Sequence, residues 1–316
     1  MELSLGKMRA LTTLSTAQNI FTIVALDHGV SLRKIFWGNA WEQSSYEDVV
    51  RTKMEIVKDL APHGSAILLD PVYGIGAAIR DNVVPGNVGL MSLVEDEESA
   101  NDDADSTSVF VPGWSVAQAK RIGATGIKFY FYYNRNDRAR AAREEALLKQ
   151  LVDECAENDL PLFAEPIHYG VERKDRRRAV IDNAKRISDL GADIMKLEFP
   201  VDVKLETDEN VWYDACVELS QALPRPWTLL SAGVDYATFK RQVEIACKAG
   251  ASGFVAGRAI WQEASDMEGA ARAEFVQTVA VARVKELSAI AAQYAKSWRE
   301  FFTAPPLPQD WYQEYA

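Results

Sequence analysis

A single-domain, eight-stranded (β/α)8 TIM barrel of the α/β class is the fold predicted for this chain of 316 residues. Three observations carry the prediction. Eight short apolar runs alternate with helical patterns, the mark of a parallel α/β sheet. Charged residues recur in or at the ends of those runs, and in barrels the chemistry gathers at the C-terminal strand ends. No Gly-rich fingerprint of the kind that opens a doubly wound sheet follows the first run. A barrel commonly needs about 250 residues, so length forces no division into domains. No short repeat or low-complexity linker marks one either. The barrel core is expected over about 21–265, between an N-terminal helix and a C-terminal helical extension with an aromatic tail over about 266–316.

Residues 1–20 are expected to form the opening helix, with Thr13, Ser15 and Thr16 available as caps. Phe21–Asp27 is the first buried strand and runs into Asp27-His28-Gly29, and a helix follows over 46–60. Ser65–Asp70 and Val88–Val94 are the second and third strands, and the acidic stretch 95–108 reads as a mobile loop. After a helix over 114–123, the fourth strand Gly126–Tyr133 carries Lys128. An amphipathic helix over 138–158 leads to the fifth strand, Leu160–Pro166, which carries Glu165. A helix opened by the basic run 172–178 stops near Gly191, before the sixth strand within Asp193–Pro200. Helices over 210–223 and 238–249 flank the seventh strand, Trp227–Gly233, and Ser252–Arg258 is the eighth. The tail is helical to about Phe302, where the proline-rich stretch that follows loses the pattern.

Composition is that of an ordinary soluble globular protein, with 48% hydrophobic and 26% charged residues. The formal charge of −11 argues against nucleic acid as a partner, because phosphate-backbone binding needs a basic footprint. It is compatible with a small phosphorylated substrate, which needs only a few local cations and backbone N–H groups. No apolar run of about 18 residues exists, so neither a transmembrane helix nor a membrane partner is expected. The opening residues lack the basic-then-apolar order of a signal peptide. Cys155, Cys216 and Cys247 form no metal or redox spacing, and a reduced, cytoplasmic compartment is the expectation. His28, His63 and His168 show no metal-binding spacing; no metal site is predicted, although carboxylate-bound magnesium stays compatible.

In the sixth strand a period of two puts Lys196 and Glu198 on one face, with Met195 and Leu197 on the other. Burying an unpaired ammonium favours its neutral form, the form that attacks a carbonyl to make a Schiff base. Two readings fit this strand: a nucleophilic Lys196, or a structural Lys196–Glu198 ion pair. Lys128 follows a similar glycine-containing turn and is expected at similar depth. Two ammonium groups close together disfavour each other's charge, which would free one as nucleophile and leave the other to hold an anionic substrate group. Glu165 is then the proton shuttle. Ser231-Ala-Gly233 and Ala256-Gly-Arg258 end the last two strands, where barrels often bind phosphate, and Arg258 supplies a forked cation. Asp27 and Asp70 close the first two strands, as helix caps or as site groups. His28 and His168 lie near strand ends within reach of a substrate, whereas loop residue His63 is expected to be structural. The aromatic run Phe129–Tyr133 is expected to pack as core.

Leu-Leu-Asp-Pro-Val-Tyr-Gly (68–74), Trp-Ser with Ala-Lys-Arg-Ile (114–122), Ile-Lys-Phe with Tyr-Tyr (127–133), Asp-Ile-Met-Lys-Leu-Glu-Phe-Pro-Val (193–201), Leu-Ser-Ala-Gly-Val (230–234) and Gly-Arg-Ala-Ile-Trp (257–261) form a set. With that set the chain resembles the tagatose-1,6-bisphosphate aldolase family of class I, Schiff-base aldolases, from about Phe21 to Trp298. The resemblance implies a covalent Schiff base on Lys196 with no separate cofactor, Glu165 as acid/base and Lys128 as the second active-site lysine. It implies Asp27 at the first strand end, and Ser231, Gly233, Gly257 and Arg258 around a substrate phosphate; His28 and Asp70 are expected beside the substrate. The reaction implied is reversible cleavage of a ketose 1,6-bisphosphate, of tagatose or fructose type, to dihydroxyacetone phosphate and glyceraldehyde 3-phosphate. Where tagatose enzymes carry Asp-Gln-Arg-Gly, this chain has Asp27-His28-Gly29, which is similar to fructose-bisphosphate aldolases of archaeal type. Glu165-Pro166 and Ala251–Arg258 are also similar to the aldolase that cleaves 6-deoxy-6-sulfofructose 1-phosphate to dihydroxyacetone phosphate and sulfolactaldehyde. A non-catalytic phosphosugar sensor is the reading from another class. The tail Thr303–Ala316, with Trp311, Tyr312 and Tyr315, is expected either to mark a homo-oligomer contact, a dimer first, or to pack back onto the barrel.

Overall fold

The computed structural model describes residues 1–97, 99, 106–313 and 315. Eight parallel strands close into a barrel in sequence order: β1 (Phe21–Leu26), β2 (Ala66–Leu69), β3 (Gly89–Leu93), β4 (Gly126–Tyr133), β5 (Leu162–His168), β6 (Ile194–Leu197), β7 (Trp227–Leu229) and β8 (Gly253–Ala256). Closure comes from β8 pairing with β1, Phe21 opposite Gly253 through Val24 opposite Ala256. A side chain at Gly253 would run into the Phe21 carbonyl, so the seam requires glycine there, at φ +122°. The helices are α1 (Leu5–Leu14), α2 (Val30–Trp37), α3 (Tyr46–Leu60), α4 (Gly76–Arg80), α5 (Val116–Arg121), α6 (Arg138–Glu157), α7 (Arg176–Asp189), α8 (Glu209–Ala222), α9 (Tyr236–Lys248), α10 (Arg258–Trp261), α11 (Gly269–Phe275) and α12 (Val281–Tyr294).

Strand period divides the core into two layers. Phe21, Ile23, Ala25, Ala66, Leu68, Met91, Phe163, Ile194 and Val255 fill the barrel interior. Their neighbours along the strands, such as Ile67, Ile127 and Met195, pack outward with the helices. Leu3, Leu11 and Leu14 join the interior set at the barrel's N-terminal end, with Trp298 and Phe302 from the C-terminal extension. Leu14 fits there because Gly89 and Gly126 open their strands without side chains: a Cβ on either would come within 2.9 and 2.7 Å of the Leu14 side chain. The aromatic run divides by the same period. Phe129, Phe131 and Tyr133 pack in the barrel–helix layer as expected, while Tyr130 lies beneath Lys128, whose Nζ is 4.9 Å from the ring centre.

Several boundaries differ from expectation. α1 begins at Leu5, capped by Ser4, whose hydroxyl accepts from Lys7 N–H at 3.1 Å; Thr13 falls inside its last turn and Ser15 just past its end, so neither caps its start. α2 follows Asp27-His28-Gly29 directly and had no expected counterpart. The C-terminal helix is interrupted, with a π turn over Val276–Ala280 between α11 and α12 and extended chain after Tyr294. The expected mobile loop 95–108 lies partly outside the described residues, and its first residue, Glu95, is buried. Of the tail aromatics, Tyr315 is tethered to the barrel through its hydroxyl, which accepts from Gly6 N–H at 2.7 Å and donates to Asp159 at 2.8 Å, while the residue itself stays exposed. Trp311 and Tyr312 are exposed. Among the described residues no helix is long and apolar enough to cross a membrane.

Candidate active site

Each of the first six strands delivers one charged side chain to the C-terminal half of the barrel: Asp27, Asp70, Glu95, Lys128, Glu165 and Lys196, none more than 6% exposed. The period of two explains the placement. Asp27 follows Ile23 and Ala25, Asp70 follows Ala66 and Leu68, Glu95 follows Met91, Glu165 follows Phe163 and Lys196 follows Ile194, all interior residues. Charges so buried need partners, and for all of them but Asp70 the partners are each other.

Lys196 Nζ donates to Glu165 Oε2 at 2.8 Å. The same oxygen is 3.2 Å from Lys128 Nζ, which also lies 2.6 Å from Glu95 Oε1 and 3.0 Å from Asp27 Oδ2. The two lysines therefore meet across one carboxylate oxygen, with three carboxylates against two ammonium groups. Burial works against a charge on Lys128, yet Glu95, Asp27 and Glu165 outweigh it and hold the ammonium well above the ordinary lysine range. Burial also resists ionisation of Asp27, but the pull of Lys128, then of Lys196 and His28, keeps it far below the usual carboxylate range. Glu95 goes the other way. There burial dominates over Lys128, the charge of Asp27 adds to it, and the carboxyl is pushed up to about 7.

Glu198 takes no part in this cluster. It accepts from His168 N–H at 3.1 Å and Arg176 at 3.1 Å and lies 2.6 Å from His168 Nδ1. Despite burial, those two residues hold its carboxyl below the ordinary value. Lys196 is thus paired with Glu165, and His168 is committed to Glu198. Asp70 reaches the mouth but its oxygens are engaged, one by Lys53 of α3 and the other by the Tyr73 N–H at 2.6 Å, as a helix cap. Lys53 also donates to the Leu26 carbonyl at 3.0 Å, tying Asp70 to the end of β1.

His28 sits between Asp27 Oδ1, 3.6 Å from Nδ1, and the edge of Trp261. Burial, only partly opposed by Asp27, lowers its pKa to about 3, so the ring is neutral at physiological pH. Gly257 lies against it: a Cβ there would come within 2.4 Å of the Ala25 carbonyl and 3.0 Å of the His28 ring. At the end of β7, Ser231 is buried, and Ala232 and Gly233 both have positive φ. The Arg258 guanidinium packs within 3.3 Å of where a Gly233 Cβ would be, so the ends of β7 and β8 converge on one cation. A run of turned backbone beside a guanidinium is chemically suited to an oxyanion such as phosphate. Among the described residues no group of three or more His, Cys, Asp or Glu is placed to hold a metal ion.

Four participants were not identified from the sequence. Glu95 carries the same signal as Asp27 and Asp70, an acid in phase with the interior positions of its strand, but its acidic surroundings assign it to the loop. Lys53 interrupts the buried stripe of α3 formed by Val49, Val50, Met54, Ile56 and Val57, which is a readable signal. Tyr130 is readable from strand alternation. Glu97 gives none: its carboxylate accepts from the N–H groups of Gly29 at 2.6 Å and Ser31 at 3.3 Å, at the start of α2.

A model of the DeoC/LacD family aldolases matches residues 21–263. Tagatose 1,6-diphosphate aldolase of Streptococcus agalactiae is 28% identical over 331 aligned positions, covering 95% of this chain and all of that protein. Tagatose 1,6-diphosphate aldolase 2 of Enterococcus faecalis is also 28% identical, covering 94% of this chain and 96% of its own. Among solved structures, an archaeal fructose 1,6-bisphosphate aldolase superposes with a TM-score of 0.61 at 17% identity, covering 91% of this chain and 99% of its own. Fructose-bisphosphate aldolase from Plasmodium falciparum gives a TM-score of 0.70 at 13% identity, with 94% and 98% covered. These structural likenesses concern the barrel fold.

Proposed function

The chain belongs to the DeoC/LacD family of aldolases, carbon–carbon lyases, and from that premise we propose a Schiff-base aldolase that reversibly cleaves a ketose 1,6-bisphosphate to dihydroxyacetone phosphate and glyceraldehyde 3-phosphate. The observation that carries the proposal is the buried contact of 2.8 Å between Lys196 Nζ and Glu165 Oε2. Glu165 takes the ammonium proton, and the free amine adds to the ketone carbon of the substrate. Returned to the carbinolamine hydroxyl, the proton lets water leave and the iminium form. Loss of the proton from the C4 hydroxyl then breaks the C3–C4 bond, releases the aldehyde and leaves an enamine on Lys196. Protonation of that enamine at C3 and hydrolysis free dihydroxyacetone phosphate and the lysine.

Lys128, held charged by three carboxylates, is the fixed cation of this scheme and faces the oxygens on which negative charge develops. Asp27 anchors it. Ser231, Gly233, Gly257 and Arg258 hold a substrate phosphate, with His28 beside them and Asp70 acting through Lys53 as a wall of the site. The curated relatives named as tagatose 1,6-diphosphate aldolases favour two phosphates over a sulfonate at one end. The Glu165 oxygen that accepts from Lys196 supports covalent chemistry on the substrate itself, and the proposed reaction uses no separate cofactor. Borohydride reduction in the presence of dihydroxyacetone phosphate should leave an adduct on Lys196, found by mass spectrometry of the peptide. An unmodified Lys196, or activity abolished by EDTA, would reject the mechanism. Comparing kcat/KM for tagatose 1,6-bisphosphate, fructose 1,6-bisphosphate and 6-deoxy-6-sulfofructose 1-phosphate decides the substrate.

A further inference from the structure

Glu95 has no step in the proposed reaction, yet it makes the shortest contact of the Lys128 ammonium, 2.6 Å. We infer that Glu95 is a positioning residue: its carboxylate draws the Lys128 ammonium to a point between Asp27 and Glu165, and so fixes the Glu165 oxygen that Lys196 shares. A lysine ammonium has three hydrogens on a flexible stem. Here three carboxylates from β1, the end of β3 and β5 lie 3.0, 2.6 and 3.2 Å from it. Without Glu95, Lys128 would settle onto the other two and compete with Lys196 for Glu165.

Charge balance gives Glu95 a second consequence. The cluster holds three carboxylates and two ammonium groups, a negative excess that transfer of the Lys196 proton to Glu165 leaves unchanged. Protonation of one carboxyl neutralises it. Glu95 is the candidate, since burial brings its carboxyl into the neutral range, near pH 7, while Asp27 stays ionised. The groups that face it are Lys128 from β4, Asp27 from β1 and, across Lys128, Glu165 from β5. Asp70, engaged with Lys53 of α3, lines the same cavity with Asp96 and Glu97. The hold on Lys128 therefore strengthens as pH rises through about 7 and loosens below it.

This inference rests on the Schiff-base reading, and the test separates the two. Wild-type enzyme and the variants Glu95→Gln and Glu95→Asp are compared in borohydride trapping with dihydroxyacetone phosphate and in cleavage of the ketose bisphosphate between pH 5.5 and 9. Absence of a Lys196 adduct in the wild type rejects the Schiff-base reading. Glu95 is judged on the variants and on a crystal structure of Glu95→Gln. The expected result is a kcat lowered on the order of 10- to 100-fold with KM little changed, as for a misplaced catalytic group. The acid limb near pH 7 should disappear in Glu95→Gln and persist in Glu95→Asp. Wild-type kcat and acid limb in Glu95→Gln, or a crystal structure with Lys128 unmoved, overturns the inference. If Glu95→Gln does not fold, Glu95→Asp decides through kcat, and a wild-type value there overturns it.

Discussion

At the N-terminal end of the barrel Lys7 Nζ donates to Asp193 at 2.8 Å, the same distance that separates Lys196 from Glu165 at the C-terminal end. Both pairs are buried, and both join a lysine to an acid on or beside a strand. At the closed end the pairing is one to one: the Asp193 oxygen that takes Lys7 also takes the Leu162 N–H at 2.9 Å, and α1, which carries Lys7, packs Leu11 and Leu14 into the barrel interior. At the open end one Glu165 oxygen serves two lysines, and Lys128 serves three acids. Identical distances thus accompany opposite roles. A saturated pair stabilises a single state, whereas a shared one leaves protons and contacts to redistribute.

A closed-end pair that mattered to turnover would erase this distinction between the two ends. Asp193→Asn leaves an ammonium buried without its carboxylate, and should lower unfolding free energy by about 3–5 kcal/mol while kcat stays near wild type. Urea unfolding alongside steady-state kinetics checks both halves. At the open end the balance should reverse. Lys128→Met is expected to lower kcat on the order of 10²–10³-fold, the scale for losing one charge-stabilising donor. Its acid limb should also move alkaline, since Lys128 is the cation that opposes burial at Glu95 and favours its ionised form. A depressed rate with an unmoved acid limb would leave Lys128 as a substrate-binding cation only.

The open end also has its own signature in stability. Glu95 ionises at about 7 in the folded protein against an ordinary value of 4.5, so between those limits the folded state binds more protons than the unfolded one. Its contribution is present at low pH and is lost as pH rises through 7, by at most about 3 kcal/mol. Asp27, depressed in the fold, adds stability above its unfolded value near 4 that fades as pH falls below it. Unfolding midpoints measured from pH 4.5 to 8 should therefore fall in the wild type and flatten in Glu95→Gln. A smaller effect is expected at the end of β8, where Arg258→Ala should raise KM about 10- to 100-fold through a lost charge-assisted contact. An unchanged KM would remove Arg258 from the proposed phosphate site. Weakest of all is the effect of the exposed Trp311 and Tyr312: as a proposed dimer contact, their replacement by serine should yield a monomeric mass in light scattering with unchanged kcat, and a monomeric wild type would reject the contact.

Which side chains face inward was written in the chain itself. Alternation along a strand is a local property of the pleated backbone, so Lys128, Glu165, Lys196 and Asp27 were each legible singly. So was the barrel, from eight apolar runs with helices between. Partnership was not local. Glu198, two residues from Lys196 and just past the end of β6, pairs with His168 and Arg176, while Lys196 pairs with Glu165, 31 residues away. Lys128 reaches Glu95 across 33 residues, a contact hidden because Glu95 begins an acidic stretch that reads as solvent-facing loop. Closure and stagger of the barrel decide which strand ends meet, and they are set by the packing of all eight strands together. The sequence thus determined the fold and the inward-facing charges, and the tertiary structure alone decided that three acids and two lysines would join in one buried cluster.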